Sequence, residues 1–260
     1  FEVYERQLAL TEQRINKASE ELNFVPLGGT AIGTGIDAPR EFAPLAVQRL
    51  AEITKFPLEM NPIKSEGMAS HAAIVNVSGA LRSLALALVK LANDVRLLGS
   101  GPRAGLAELI LPPNEPGSSI MPGKINPTQC EAMLQACFHV IGGDLAVTFG
   151  EAFGSMLDLN VMKPLMISNL VDGIELLANA MGSFVDHCLD GLEANTDHIN
   201  QMLDQSLMVV THLTPIIGYD KAGEIALIAL KSGKTIREVI IEMGLEIEDL
   251  DDLLDPRKMV

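Results

Sequence analysis

Aromatic residues are scarce in this sequence: there is no tryptophan, and two tyrosines and eight phenylalanines make up 4% of 260 residues. A core must then be built from Ala, Leu, Ile, Val and Met, which favours packed helices over sheets. Basic residues are in deficit as well. Nineteen Lys and Arg against 34 Asp and Glu leave a formal charge of −15 and a pI near 4.7, which argues against a nucleic-acid partner or an anionic membrane surface. The three cysteines, Cys130, Cys137 and Cys188, lack metal-site spacing and suit a reducing, cytoplasmic compartment. The five histidines, His71, His139, His187, His198 and His212, form no HxxxH or HExxH pair, so no metal site is expected. The glycine run at 27–35 lacks the Gly-Lys-Ser/Thr ending of a phosphate loop and has no strand-then-helix frame, and it reads as a structural turn. No signal peptide is visible, and there is no Met at position 1. Residues 1–22 open in the middle of a helical pattern without a cap, so an upstream part is expected.

What is present is aliphatic and helical. A hydrophobic content of 48% can fill one large core or two modest ones. Residues 1–22 are amphipathic, 39–55 form a short helix, and 64–98 form a very long one of roughly 50 Å. Its segment 72–91 is apolar enough to suggest a membrane span. Arg82 and Lys90 lie inside it, however, with Asn76, Ser78 and Ser83, so a helix surrounded by other helices is the better reading. Such a helix needs more partners than one chain offers, and oligomerisation would supply them. Residues 107–111 suggest a short extended piece. A third long helix runs over 128–151, broken at Gly142-Gly143, and a fourth over 160–189 with Pro164 in its first turns. From Glu193 the helices shorten, and 246–255 is strongly acidic. The expectation is an all-α long-helix bundle over 1–190 and a small helical domain over 191–260.

Between the second and third long helices lies Gly117-Ser118-Ser119-Ile120-Met121-Pro122-Gly123-Lys124-Ile125-Asn126-Pro127. Glycines and prolines forbid regular structure there, while Pro127 has the fixed φ that suits a helix start, making Asn126 the expected N-cap. A helix start presents free N–H groups and a positive dipole end, suited to a carboxylate, and Lys124 adds a full charge. On so acidic a chain an anionic substrate needs such a local cationic pocket. Serine is a poor base in water; a water-excluded site dense in N–H donors could make its alkoxide accessible. Clusters of Ser, Gly and Pro also make plain surface turns, and Glu131 in the following helix would equally complement the dipole.

This loop resembles the signature of the fumarase/aspartase superfamily of lyases. Asn114-Glu115-Pro116 and Pro122-Gly123-Lys124 look most like class II fumarase, as do Gly28-Gly29-Thr30-Ala31-Ile32-Gly33-Thr34-Gly35, Leu159-Asn160-Val161, 206–211 and 217–222. The resemblance implies the superfamily's bundle fold with a small C-terminal domain, a homotetramer, a dicarboxylate substrate and no cofactor. It implies reversible hydration of fumarate to (S)-malate through a carbanion delocalised into a carboxylate. Ser118 would be the general base, Ser119 a substrate contact, Lys124 and Asn126 carboxylate binders with Ile125 between them, and Glu131 the carboxylate that orients a catalytic histidine. The segments that would carry that histidine and a second anion site have no counterpart in these 260 residues. Aspartase, another lyase of the superfamily, or a non-catalytic helical assembly remain alternatives.

Overall fold

The computed structural model describes residues 1–259. The chain divides into two compact units, one formed by Phe1–Gly99 with Leu111–Leu192, the other by Ser100–Ile110 with the residues from Glu193 on. The expected all-α architecture is observed.

The first unit contains α1 (Glu2–Ser19), α2 (Phe42–Thr54), α3 (Lys64–Ala69), α4 (Ala72–Leu98), α5 (Thr128–Gly154) and α6 (Lys163–Phe184). Helices α4, α5 and α6 pack on one another, and α1 packs on α4. Spacings of three, four and seven bring Leu81, Leu88 and Val95 of α4 together with Met133, Cys137, Val140 and Val147 of α5 and Met166, Leu170 and Leu177 of α6, all buried. Each wholly buried large aliphatic side chain contributes about 2 kcal/mol. Gly142-Gly143 does not break α5, contrary to the sequence expectation. Val140, Asp144 and Val147 are buried on both sides of the pair, so tertiary packing holds the helix where propensity alone would let it fray.

The helix expected over 64–98 is interrupted at Ser70 and His71. Glu151 of α5 is the cause: it accepts hydrogen bonds from Ser70 Oγ (2.7 Å), the His71 N–H (2.8 Å) and Asn160 Nδ2 (3.1 Å). One carboxylate thereby takes up donors that open at the start of α4. Midway along the same helices Asp144 is buried, accepting from Ser78 Oγ and from Arg82 Nη1, each at 2.7 Å. By length and composition α4 and α5 could each cross a membrane; they pack on each other as core helices, around this polar contact.

Short pairings tie the connections. Phe24–Val25 runs parallel to Glu59–Met60, and Ser155–Met156 antiparallel to Leu159–Asn160. In the second unit Leu109–Ile110, the extended piece expected near 107–111, pairs antiparallel with Glu193–Ala194. There α7 (Thr196–Asp204), α8 (Thr214–Ile217), α9 (Tyr219–Ser232), α10 (Ile236–Glu242) and α11 (Leu250–Leu253) accompany a core of Val209, Leu213, Ile225, Ala229, Ile236, Val239, Ile240 and Leu254. A reciprocal cap starts α10: the Glu238 N–H donates to Thr235 Oγ1, and the Thr235 N–H donates to Glu238. The Thr235 N–H and then the Thr235 hydroxyl, both donating to its carboxylate, hold the Glu238 carboxyl below its usual range.

Candidate active site

Residues 112–127 form an irregular loop of the first unit that delivers the chain to α5. The loop is closed at its neck. The Gly117 N–H donates to the Lys124 carbonyl at 2.9 Å, and Asn126 Nδ2 donates to the Gly117 carbonyl at 2.7 Å. Gly117 is dictated by this closure, because a Cβ there would lie 2.3 Å from the Lys124 carbonyl oxygen. Gly123 turns the tip with φ +75°, a left-handed conformation that other residues resist.

The Asn126 hydrogen bond corrects one expectation. Asn126 does not cap α5; the N-cap position is Pro127, with no side-chain cap bond. The amide is spent on the loop neck instead, nine residues back along the chain, a partner that cap statistics cannot reveal.

Two further hydrogen bonds fix the loop's base. Thr128 Oγ1 donates to Glu115 Oε1 at 2.6 Å, and Asn114 Nδ2 donates to the His187 carbonyl at 2.8 Å. In the sequence Asn114 and Glu115 stand out only through the family resemblance, and nothing there pairs them with His187 or Thr128, since these partners become neighbours only in the folded chain. The Gly-Pro-bounded span from Gly117 to Lys124 is thus a flap on a fixed frame.

Inside the flap, Ser118 Oγ accepts from the Ile120 and Met121 N–H groups, both at 3.2 Å. Two amide dipoles therefore already point at the hydroxyl oxygen, where they lower the cost of negative charge. Ser118 is half-buried. It lines a concavity of about 420 Å³ together with Asn114, Met121, Lys124 and Ile125. Among the described residues lining it, Lys124 carries the positive charge and Glu115 the negative. So Ser118, Lys124 and Ile125 share one opening and Asn126 braces its neck. Ser119 is exposed and Glu131 is an exposed residue in the first turn of α5; neither lines the concavity. An opening that holds an ammonium and N–H donors can bind a carboxylate, and those donors would stabilise an alkoxide at Ser118.

Comparison with known proteins places this loop in a family. The model of a lyase family matches residues 1–142, and the model of the fumarase C C-terminus matches residues 209–260. The chain belongs to the fumarase/aspartase family of lyases. Mitochondrial fumarate hydratase of Homo sapiens is 47% identical over 261 residues, an alignment covering 100% of this lyase chain and 51% of the human protein. Class II fumarate hydratase of Rickettsia bellii (strain RML369-C) is 48% identical over 261 residues, covering 100% of the chain and 56% of the rickettsial protein. Among solved structures, class II fumarase from Schistosoma mansoni superposes with a TM-score of 0.93 at 36% identity, over 99% of this chain and 57% of that one. A cobalt-bound fumarate lyase:delta crystallin from Brucella melitensis gives 0.96 at 42% identity, over 100% and 56%. The lyase chain spans about half the length of the curated relatives it matches.

Proposed function

We propose that this lyase chain serves the reversible hydration of fumarate to (S)-malate, providing the proton-abstracting half of the site. In the dehydration direction Ser118, ionised to the alkoxide that the Ile120 and Met121 N–H groups stabilise, takes the proton from the carbon next to a carboxylate and becomes the neutral hydroxyl. The electron pair left behind delocalises into that carboxylate, giving a dianionic aci-carboxylate, and then expels hydroxide from the neighbouring carbon, which leaves as water once protonated. Charge on oxygen is what must be stabilised, so the useful groups are cations and N–H donors rather than a nucleophile. Lys124 supplies the cation beside Ile125. Asn126 can contribute too, because an amide nitrogen carries two donors and the loop neck uses one. Ser119, at the exposed tip, and Glu131, in the first turn of α5, are reached by substrate or by a catalytic histidine brought from outside these 260 residues.

One observation carries this reading: Ser118 Oγ sits on two amide N–H groups and opens onto the same concavity as Lys124. The names of the relatives supply the substrate. A homotetramer fits the apolar faces left uncovered on the long helices, where Phe138, Leu145, Phe149 and Phe153 of α5 and Ile167, Val171 and Ile174 of α6 are exposed. A cytoplasmic location is part of the proposal, in keeping with three buried free cysteines.

The test is Ser118→Ala in the full-length gene product, followed by loss of fumarate absorbance. Removing a general base lowers turnover about 10²–10⁴-fold. Turnover within a factor of two of the parent would reject Ser118 as the base. Addition of ammonia in preference to water would replace the hydratase reading with an ammonia-lyase one.

A further inference from the structure

Two thiols with no part in the proposed chemistry lie in contact where the start of α5 meets the end of α6. Cys130, in the first turn of α5, is wholly buried, and Cys188, 3% exposed, belongs to the π-helical turn Val185–Leu189 that ends α6. Their Sγ atoms are 3.9 Å apart. The turn around Cys188 is stitched to the loop. His187, its neighbour, holds Asn114 through its carbonyl, and Ser183 Oγ donates to Gln129 Oε1 at 2.9 Å. On the other side, Cys130 precedes Glu131 and follows Asn126 by four residues. Any displacement of the Cys188 turn relative to α5 is therefore carried to both arms of the loop.

The geometry points to a reversible redox lock, in which Cys130 and Cys188 join as a disulfide that shifts the base of the loop and suppresses the lyase activity; the activity part rests on the function proposed above. Bond formation would shorten the Sγ separation from 3.9 Å to about 2.05 Å, a movement shared between side-chain rotation and the π-turn. Misplacement of catalytic groups by about 1 Å can cost 10²-fold in rate.

The chemistry balances with a hydroperoxide as oxidant. The Cys188 thiolate attacks one peroxide oxygen, the O–O bond breaks, and the leaving hydroxide takes a proton to become water, leaving a sulfenic acid on Cys188. Cys130 sulfur then attacks Cys188 sulfur, the S–O bond breaks, and a second water departs with the thiol proton. Two thiols lose two electrons and one peroxide gains them. A dithiol reductant reverses the change by two exchange steps and is itself oxidised to a disulfide. The two sulfurs share a hydrogen bond in which either can be the donor; it pushes the Cys130 thiol up, together with burial, and holds the Cys188 thiol down, in keeping with Cys188 as the sulfur oxidised first.

The experiment treats the reduced full-length protein with hydrogen peroxide and reads three things: the 130–188 peptide link by non-reducing mass mapping, hydrogen exchange over residues 114–126, and fumarate hydration. A link 2 Da lighter than the two thiol peptides, slower exchange across the loop, and a fall in activity of at least tenfold that dithiothreitol reverses would establish the lock. Cys188→Ser and Cys130→Ala should abolish link and slowing alike, while Cys137→Ser should keep both. No link at saturating peroxide, or a link that leaves exchange and activity unchanged, overturns it. If the reduced protein hydrates no fumarate, the function proposed above fails, and link and exchange alone decide the lock.

Discussion

Substituting Asp144 by Ala removes the one carboxylate buried between α4 and α5, and its cost can be worked from its two partners. Ser78 is 4% exposed, so its hydroxyl would lose its acceptor in an enclosed place, at about 1–2 kcal/mol. The Arg82 side chain is 48% exposed and can turn its guanidinium into water, so its loss is worth about 1 kcal/mol or less. The vacated carboxylate volume adds a small cavity term of about 0.5–1 kcal/mol. The sum is about 2–4 kcal/mol, roughly 5–15 °C in Tm for a unit of this size. Thermal unfolding by circular dichroism at 222 nm measures it. Replacing all three residues together, Ser78→Ala with Arg82→Met and Asp144→Leu, should recover most of the loss, because the penalty comes from stranding polar groups rather than from losing an attraction. A shift below 2 °C for Asp144→Ala, or a triple variant worse than the single one, would refute this reasoning.

Gly117→Ala should cut turnover by tenfold or more with Tm changed by less than about 2 °C, since its Cβ would strike the Lys124 carbonyl at 2.3 Å in an exposed flap; equal activity and stability would show that the neck is not needed. Thr235→Ala should cost about 1 kcal/mol by breaking the reciprocal cap of α10, measured by urea unfolding, and a neutral result would count against that cap. Burial pushes the Cys137 thiol up to about 11 from 9.0, so at pH 8 roughly one thiol in a thousand is ionised and iodoacetamide should label it far more slowly than in urea. The sign for stability follows: between pH 9 and 11 the unfolded chain releases this proton while the folded chain keeps it, so stability falls as pH rises through that window. A Cys137→Ser variant should show a flatter decline there.

The long helices were legible because burial writes itself into sequence at spacings of three and four, as at Leu81, Ala85, Leu88, Ala92 and Val95, and because Pro127 and Pro164 mark where helices begin. What failed to show were contacts made across many residues. Glu151 parts α3 from α4 from a distance of 80 positions, and no local pattern at Ser70 announces it. Asn126 reads as a cap by position yet closes a loop, its amide donating to the Gly117 carbonyl nine residues back. Gly142-Gly143 reads as a break until α6 is packed against it. At the candidate site, Ser118 and Lys124 could be singled out from residue type and family resemblance. The two amides aimed at Ser118 Oγ could not, since they depend on how the backbone folds back between Ile120 and Met121.

In the function proposed above, the Ser118 alkoxide, stabilised by two backbone amides in the opening it shares with Lys124, takes the proton from a dicarboxylate. Solvent-exchange measurement isolates that step: full-length protein is incubated with (S)-malate in deuterated water, and deuterium entry at the carbon next to the carboxylate is followed by NMR. Ser118→Ala should abolish deuterium incorporation along with net turnover while malate still binds through Lys124. Incorporation in the Ser118→Ala protein at the parent rate would contradict it.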